Sequence, residues 1–188
     1  MRIILASGSP RRKSLLESLG LEFTVYRPDA DESRIPGEAP GDMCRRLSRL
    51  KAETGAREFP DAVIIAADTI VVVDGEILGK PHGRDYAARM LRKLSGREHE
   101  VITGLSVQRG EAVISADVHT LVKFRELSDD EISAYVATGE CDDKAGAYAV
   151  QGLGSLLIEG ITGDYYNVVG LPLCTLGGIL RDMGFSLL

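Results

Sequence analysis

Apolar runs and helical apolar spacings alternate along the 188-residue chain. Residues 2–6 (RIILA) form a short apolar run that reads as a buried strand. Ser7, Gly8 and Ser9 break it. Pro10 then opens a helix with Ser9 as N-cap, Leu15, Leu16 and Leu19 on its apolar side, and Gly20 as its stop. A second strand is expected near Phe23–Tyr26. Residues 27–39 mix acids with prolines and read as a loop. A helix over 40–57 places Met43, Leu47 and Leu50 on one face. The run 62–68 (AVIIAAD) reads as a central strand buried on both faces. Asp74-Gly75 between two apolar runs signals a hairpin. A helix over 84–95 carries Ala87, Met90, Leu91 and Leu94 at helical spacing. Two strands flank a turn at Arg109-Gly110, the second reaching about Phe124. Ser128 and Glu131 form a capping box before Ile132, Tyr135 and Val136, and Gly139 closes that helix. A glycine-rich stretch with strand character covers 145–161. Pro172 opens a last helix with Leu173, Leu176, Ile179 and Leu180 inward.

Helices alternate with strands while hairpins interrupt the alternation. This predicts an α/β fold with a mixed sheet. The length suits one compact domain, or two lobes sharing a sheet. No apolar run approaches the ~20 residues of a membrane helix, and the start lacks the form of a signal peptide. A cytoplasmic protein is expected. The three cysteines, Cys44, Cys141 and Cys174, are far apart and form no C-x-x-C pair. His82, His99 and His119 show no ligand spacing either, so packing or surface positions are expected for all six. The net charge of −6 gives no general footprint for nucleic acid. An anionic substrate would need a local basic cluster.

Such a cluster stands in S7-G-S-P-R-R-K-S14, between a strand and a helix. A helix N-terminus offers unbonded N–H groups and partial positive charge, and Arg11 and Arg12 add planar donors suited to phosphate. The stretch is not a Walker A loop. Its bland alternative is a capped helix with surface arginines. In A67-D68-T69, an acid terminates an apolar strand, where metal coordination or general-base work would justify its desolvation; a capping role is the alternative. G79-K80-P81 holds a lysine on a short, stiff connection. In D142-D-K-A-G-A-Y-A-V-Q-G-L-G154, the glycines permit close approach or positive φ. Gln151 offers a donor and an acceptor together, the pattern needed at a uracil or thymine edge. The loop pair Asp31-Glu32 suits Mg²⁺ or Mn²⁺, although acidic loops are often only solvated.

L5-A-S-G-S-P-R-R-K-S-L-L, A67-D-T-I-V, L78-G-K-P, L91-R-K-L-S-G and D143-K-A-G-A-Y-A-V-Q-G together resemble the Maf family of nucleotide pyrophosphatases, in the family's order and over nearly the whole chain. K144-A-G-A-Y-A-V-Q-G and Y166-N-V-V-G-L-P-L resemble the branch that cleaves dTTP and UTP, whereas the branch acting on 7-methyl-GTP differs there. The resemblance implies a single Maf-type domain over 1–188, similar in fold to inosine-triphosphate pyrophosphatases. That fold is a mixed elongated sheet flanked by helices, with a cleft between two lobes. It implies hydrolysis of dTTP and UTP, or modified uridine triphosphates, to the monophosphate and pyrophosphate, with a divalent cation (Mg²⁺, Mn²⁺ or Co²⁺) and homodimer formation. Neither nucleic acid nor membrane is an expected partner. By position, Asp68 matches the family's proton acceptor. Arg11, Thr69 and Gln151 match positions linked to substrate choice, and Ser7, Arg12, Glu32, Lys51 and Lys80 match other polar positions of the family's cleft. Gly79 stands where some relatives carry a charge. The expected roles are catalysis by Asp68, Lys80 and Glu32; substrate binding by Ser7, Arg11, Arg12, Lys51, Thr69 and Gln151; and metal binding by Glu32 and Asp68. If Gln151 is a buried amide, losing its base edge costs ~1–3 kcal/mol, about 10- to 200-fold in discrimination. A non-catalytic nucleotide-binding regulator is the rival reading.

Overall fold

The computed structural model describes residues 2–188. Seven strands form one mixed sheet in the order β2-β1-β3-β5-β6-β7, with β4 paired to β3. They are β1 (Ile3–Ala6), β2 (Thr24–Tyr26), β3 (Val63–Val73), β4 (Glu76–Leu78), β5 (Glu98–Arg109), β6 (Ala112–Phe124) and β7 (Ile158–Thr162). β1 runs parallel to β2 and β3, while β3–β4 and β6–β7 are antiparallel. The helices are α1 (Pro10–Ser18), α2 (Pro40–Glu58), α3 (Arg84–Leu94), α4 (Asp129–Ala137), α5 (Tyr165–Val169) and α6 (Leu173–Asp182). The chain divides into two compact units: Met1–Asp68, Thr103–Val118 and Gly170–Leu188 form the first, and Thr69–Ile102 and His119–Val169 the second.

In the first unit, α2 packs on β1 and β3 through Ala52 and Gly55. Ile4, Ala6, Ala62, Ile64 and Ala66 complete that core, with Tyr26 and Phe59 at its margin. The small residues set the helix–sheet distance. A Cβ on Gly55 would lie 2.9 Å from Ile64 Cγ2, inside van der Waals contact. The second unit has its own core of Val71, Leu78, Leu91, Leu94, Phe124, Ile132, Tyr135 and Tyr148. Its Asp74-Gly75 turn has φ of 50° and 75°, the double left-handed geometry expected of such a pair. The Ser128–Glu131 capping box forms as expected.

Three expectations are corrected, and one helix, α5, carries no sequence signal. β3 does not stop at Asp68. It runs on as an eleven-residue strand, and Asp68 is an interior residue of it. Most of 145–161 is not strand: two 3-10 turns, Ala145–Ala147 and Gly152–Leu157, precede β7. Gly146, Ala147 and Gly152 have φ between 60° and 71°, which an extended chain cannot accommodate. Helix α5 within Y165-Y-N-V-V169 is too short to show a helical period. The β5–β6 turn falls at Gly110-Glu111, one residue later than expected.

Candidate active site

The first unit gathers six of the expected residues. Lys51, buried in the middle of α2, places Nζ 2.6 Å from Asp68 Oδ1 and 3.0 Å from Glu32 Oε1. An ammonium thus bridges a carboxylate from a strand interior and one from the exposed 27–39 loop. The interior acid is tolerated because its charge is matched at hydrogen-bond distance. Asp31, next in sequence to Glu32, is turned to other use. Its carboxylate accepts from the Ser33 amide and hydroxyl, bonds that hold it below the usual carboxylate range. The acidic pair therefore separates into one loop-forming residue and one that pairs with Lys51.

The basic cluster lies at the start of α1. Ser9 occupies the N-cap position, but its side chain makes no capping bond. Ser7 organises the turn before it: its Oγ accepts the Ser9 N–H at 3.2 Å and an Arg12 terminal N–H at 3.1 Å. Arg12 Nε donates to the Gly170 carbonyl at 2.8 Å, which fixes the guanidinium plane from a second side. Burial lowers the Arg12 pKa, opposed by the charges of Asp68 and Glu32 and reinforced by that of Arg11. Asp68, Glu32 and Arg11 are therefore near enough to act on Arg12. Arginines at the first turn oppose the helix dipole, and α1 has no acid in that turn. A site for a polyanion accounts for that arrangement. Cys44 is buried nearby, its thiol pushed up to about 12 by burial and by the Asp68 charge. It is a packing thiol, neither nucleophile nor ligand.

The second unit holds the other three expected residues. Thr69 follows Asp68 on β3 and is half-buried. Lys80 is exposed after β4. The Gly146 N–H donates to the Gly79 carbonyl at 3.1 Å, which ties the lysine's connection to the K144-A-G-A-Y loop. Gly146 is required there, since a Cβ would meet Val71 side-chain carbons at 3.0 Å. Gln151 is exposed, contrary to the expectation of a buried amide, because it precedes the second 3-10 turn at the surface. The polar groups that shape this loop, Tyr135 and Glu140, were not singled out from the sequence. Tyr135 carries only a core signal there, and Glu140 is one acid among several in a polar turn.

A profile of the family described as Maf-like protein matches residues 2–183. The dTTP/UTP pyrophosphatase of Geotalea uraniireducens is 53% identical over 184 residues, covering 97% of this chain and 95% of its own. That of Geobacter sulfurreducens is 53% identical over 185 residues, covering 97% of each. That of Symbiobacterium thermophilum is 47% identical over 186 residues, covering 99% and 96%. Among solved structures, a nucleoside-triphosphatase (dITP/XTP pyrophosphatase) of Mycobacterium abscessus is 13% identical with a TM-score of 0.47, covering 98% and 97%; so remote a likeness carries no argument. Agreement over almost the full length of both chains, at about half identity, means that this chain belongs to the Maf family.

Proposed function

We propose that this chain is a nucleoside triphosphate pyrophosphatase that hydrolyses dTTP and UTP to the monophosphate and pyrophosphate. The observation that carries the reading is the Glu32–Lys51–Asp68 bridge beside Arg12, in a family whose compared members are named for that reaction. A nucleoside triphosphate carries close to four negative charges, and cleavage between the α and β phosphates concentrates charge on the leaving pyrophosphate. Preorganised cations are what such a reaction needs.

Arg11, Arg12 and the amides after Ser7 hold the phosphate tail. Ser7 and Gly170 fix the Arg12 guanidinium, so that less motion is lost when phosphate arrives. Asp68 orients a water and takes its proton as the oxygen attacks phosphorus. Lys51 offsets the two carboxylates, which lets a polyanion approach a site that contains acids. Lys80 neutralises charge on the leaving group. Thr69 and Gln151 select the base, with the Gln151 amide pairing to the O4 and N3–H edge of uracil or thymine.

A divalent cation suits the same carboxylates. Glu32 and Asp68 already direct two oxygens at one cation, and oxygen donors in that number suit Mg²⁺ or Mn²⁺ shared with substrate phosphates. Among the described residues no group of three or more His, Cys, Asp or Glu could hold a metal, so water and phosphate must complete the coordination. Such an ion would supply charge neutralisation and acidify water. The assembly and compartment proposed are a homodimer in the cytosol. Among the described residues, no helix is long and apolar enough to cross a membrane.

The test is product analysis over a panel of nucleoside triphosphates with Mg²⁺, Mn²⁺, Co²⁺ or EDTA. The reading predicts metal-dependent pyrophosphate from dTTP and UTP, with little from CTP or purines. Release from a purine nucleotide alone would overturn the base assignment. Binding without release of any product would favour the regulator.

A further inference from the structure

A hydrogen-bond network in the second unit brackets Gln151 from both sides. On the N-terminal side, the Ala149 N–H donates to the buried Tyr135 hydroxyl at 3.1 Å. That hydroxyl in turn donates to Glu140 Oε1 at 3.0 Å. On the C-terminal side, Glu140 accepts the Gly154 N–H on Oε1 at 2.8 Å and the Leu153 N–H on Oε2 at 3.0 Å. One carboxylate and one phenol therefore bind the backbone two residues before Gln151 and two and three residues after it.

The glycines of Q151-G-L-G154 exist for this closure. A Cβ on Gly152 would lie 2.5 Å from Glu140 Oε2. A Cβ on Gly154 would lie 2.2 Å from the Ala149 carbonyl oxygen and 2.7 Å from the Tyr135 hydroxyl. Only glycine lets the chain pass so close beneath the carboxylate, and Gly152 also has φ of 71°. The network is satisfied as charged. Burial opposes ionisation of Glu140, but the Gly154 and Leu153 amides, the Tyr135 hydroxyl and Lys144 outweigh it and hold the carboxyl below its ordinary range. Burial raises the Tyr135 pKa, so the phenol keeps the proton it donates.

We propose that Glu140 and Tyr135 are positioning residues for base selection, clamping the backbone on both sides of Gln151 so that its amide meets the pyrimidine in one orientation. This rests on the base-reading role given to Gln151 above. An exposed amide on an unclamped turn would spend much of its pairing energy on becoming ordered, and would pair in either amide orientation. The clamp removes that cost before the nucleotide arrives. It also accounts for the position of Glu140, whose carboxylate would otherwise be an expensive way to hold a surface turn.

The test compares kcat/KM for UTP and CTP, with Tm, in the wild-type protein and in Gln151→Ala, Glu140→Gln, Tyr135→Phe and Glu140→Gln/Gln151→Ala. Gln151→Ala should lower the UTP-to-CTP ratio about tenfold, the scale of one lost hydrogen-bonded edge. Glu140→Gln and Tyr135→Phe should each lower it roughly three- to tenfold, mainly through KM. The double variant should select no worse than Gln151→Ala alone, since the clamp acts through that residue. An unchanged ratio in both clamp variants, with the ratio lost in Gln151→Ala, would overturn the clamp and leave base reading intact. An unchanged ratio in Gln151→Ala would overturn base reading and the clamp with it. Additive losses in the double variant would mean that Glu140 acts elsewhere, which also overturns the proposal. Should Glu140→Gln fail to fold, Tyr135→Phe decides alone, because it keeps the ring and removes one hydroxyl.

Discussion

Lys51 Nζ lies 2.6 Å from Asp68 Oδ1, joining the middle of α2 to the interior of β3. Both groups are largely withdrawn from water, and Glu32 completes the bridge from a side that is open. Lys51→Met keeps the stem and deletes the charge, leaving the half-buried Asp68 without its hydrogen-bonded ammonium partner. Breaking a pair in this way costs about 3 kcal/mol, discounted toward ~2 because the site is not fully closed. Adding Mg²⁺ should then raise the Tm of the variant more than that of the wild-type protein, as the ion takes over the role of the ammonium. Thermal melts with and without Mg²⁺ check this. A variant whose Tm does not respond to Mg²⁺ would exclude Glu32 and Asp68 as a shared cation site.

Arg12 donates in two fixed directions, to Gly170 and to Ser7. Lysine retains the charge but has no planar fork to satisfy both. Arg12→Lys should raise KM for dTTP about tenfold while changing kcat much less. Steady-state kinetics give the answer, and unchanged KM would remove Arg12 from the phosphate cradle.

His99 is buried against Phe124 and Tyr148, with Nε2 2.7 Å from the Tyr148 hydroxyl and Nδ1 without a hydrogen-bond partner among the described residues. Burial lowers its pKa to about 4. The unfolded chain then binds a proton that the folded chain refuses. Stability is complete above the ordinary histidine pKa and is lost as pH falls from about 6.5 toward 4, by up to ~3 kcal/mol. His99→Phe should flatten the Tm-versus-pH curve across that window. A variant curve as steep as the wild-type curve would assign the acid sensitivity elsewhere.

Gly104 on β5 passes against the backbone of α2. A Cβ there would stand 2.1 Å from the Cys44 carbonyl oxygen and 2.6 Å from the Arg45 nitrogen. No side chain can yield to relieve that overlap. Gly104→Ala should therefore cost ~3 kcal/mol or more, at or above the upper end for overpacking, whereas Gly79→Ala, which meets nothing within 4 Å, should be nearly silent. Denaturant unfolding of the two variants separates them.

What the sequence revealed was local. The Pro10 helix start, the Asp74-Gly75 hairpin and the Ser128–Glu131 capping box are each specified within a few residues, and each appears where expected. From sequence, Asp68 reads as a strand end because a carboxylate normally terminates an apolar run, whereas β3 continues to Val73. Its partner Lys51 lies on another element, and nothing nearby in sequence announces the pairing. The 145–161 stretch departs from its expected strand for a related reason. Its apolar residues suggest a strand, but Gly146, Ala147 and Gly152 have positive φ, and Gly146 lies against Gly79 and Val71 and Gly152 against Glu140, contacts that no local pattern announces. The different partners of Asp31 and Glu32, Ser33 for the one and Lys51 for the other, required coordinates.

The central claim is that Asp68 activates the attacking water, and Asp68→Asn tests it most directly. The substitution keeps the shape and removes the charge and basicity. Turnover of dTTP should fall by ~10² or more, the scale of a lost general base, while a direct binding measurement finds nucleotide affinity within a few-fold of wild type. Turnover close to wild type in a folded, nucleotide-binding Asp68→Asn protein would contradict the account.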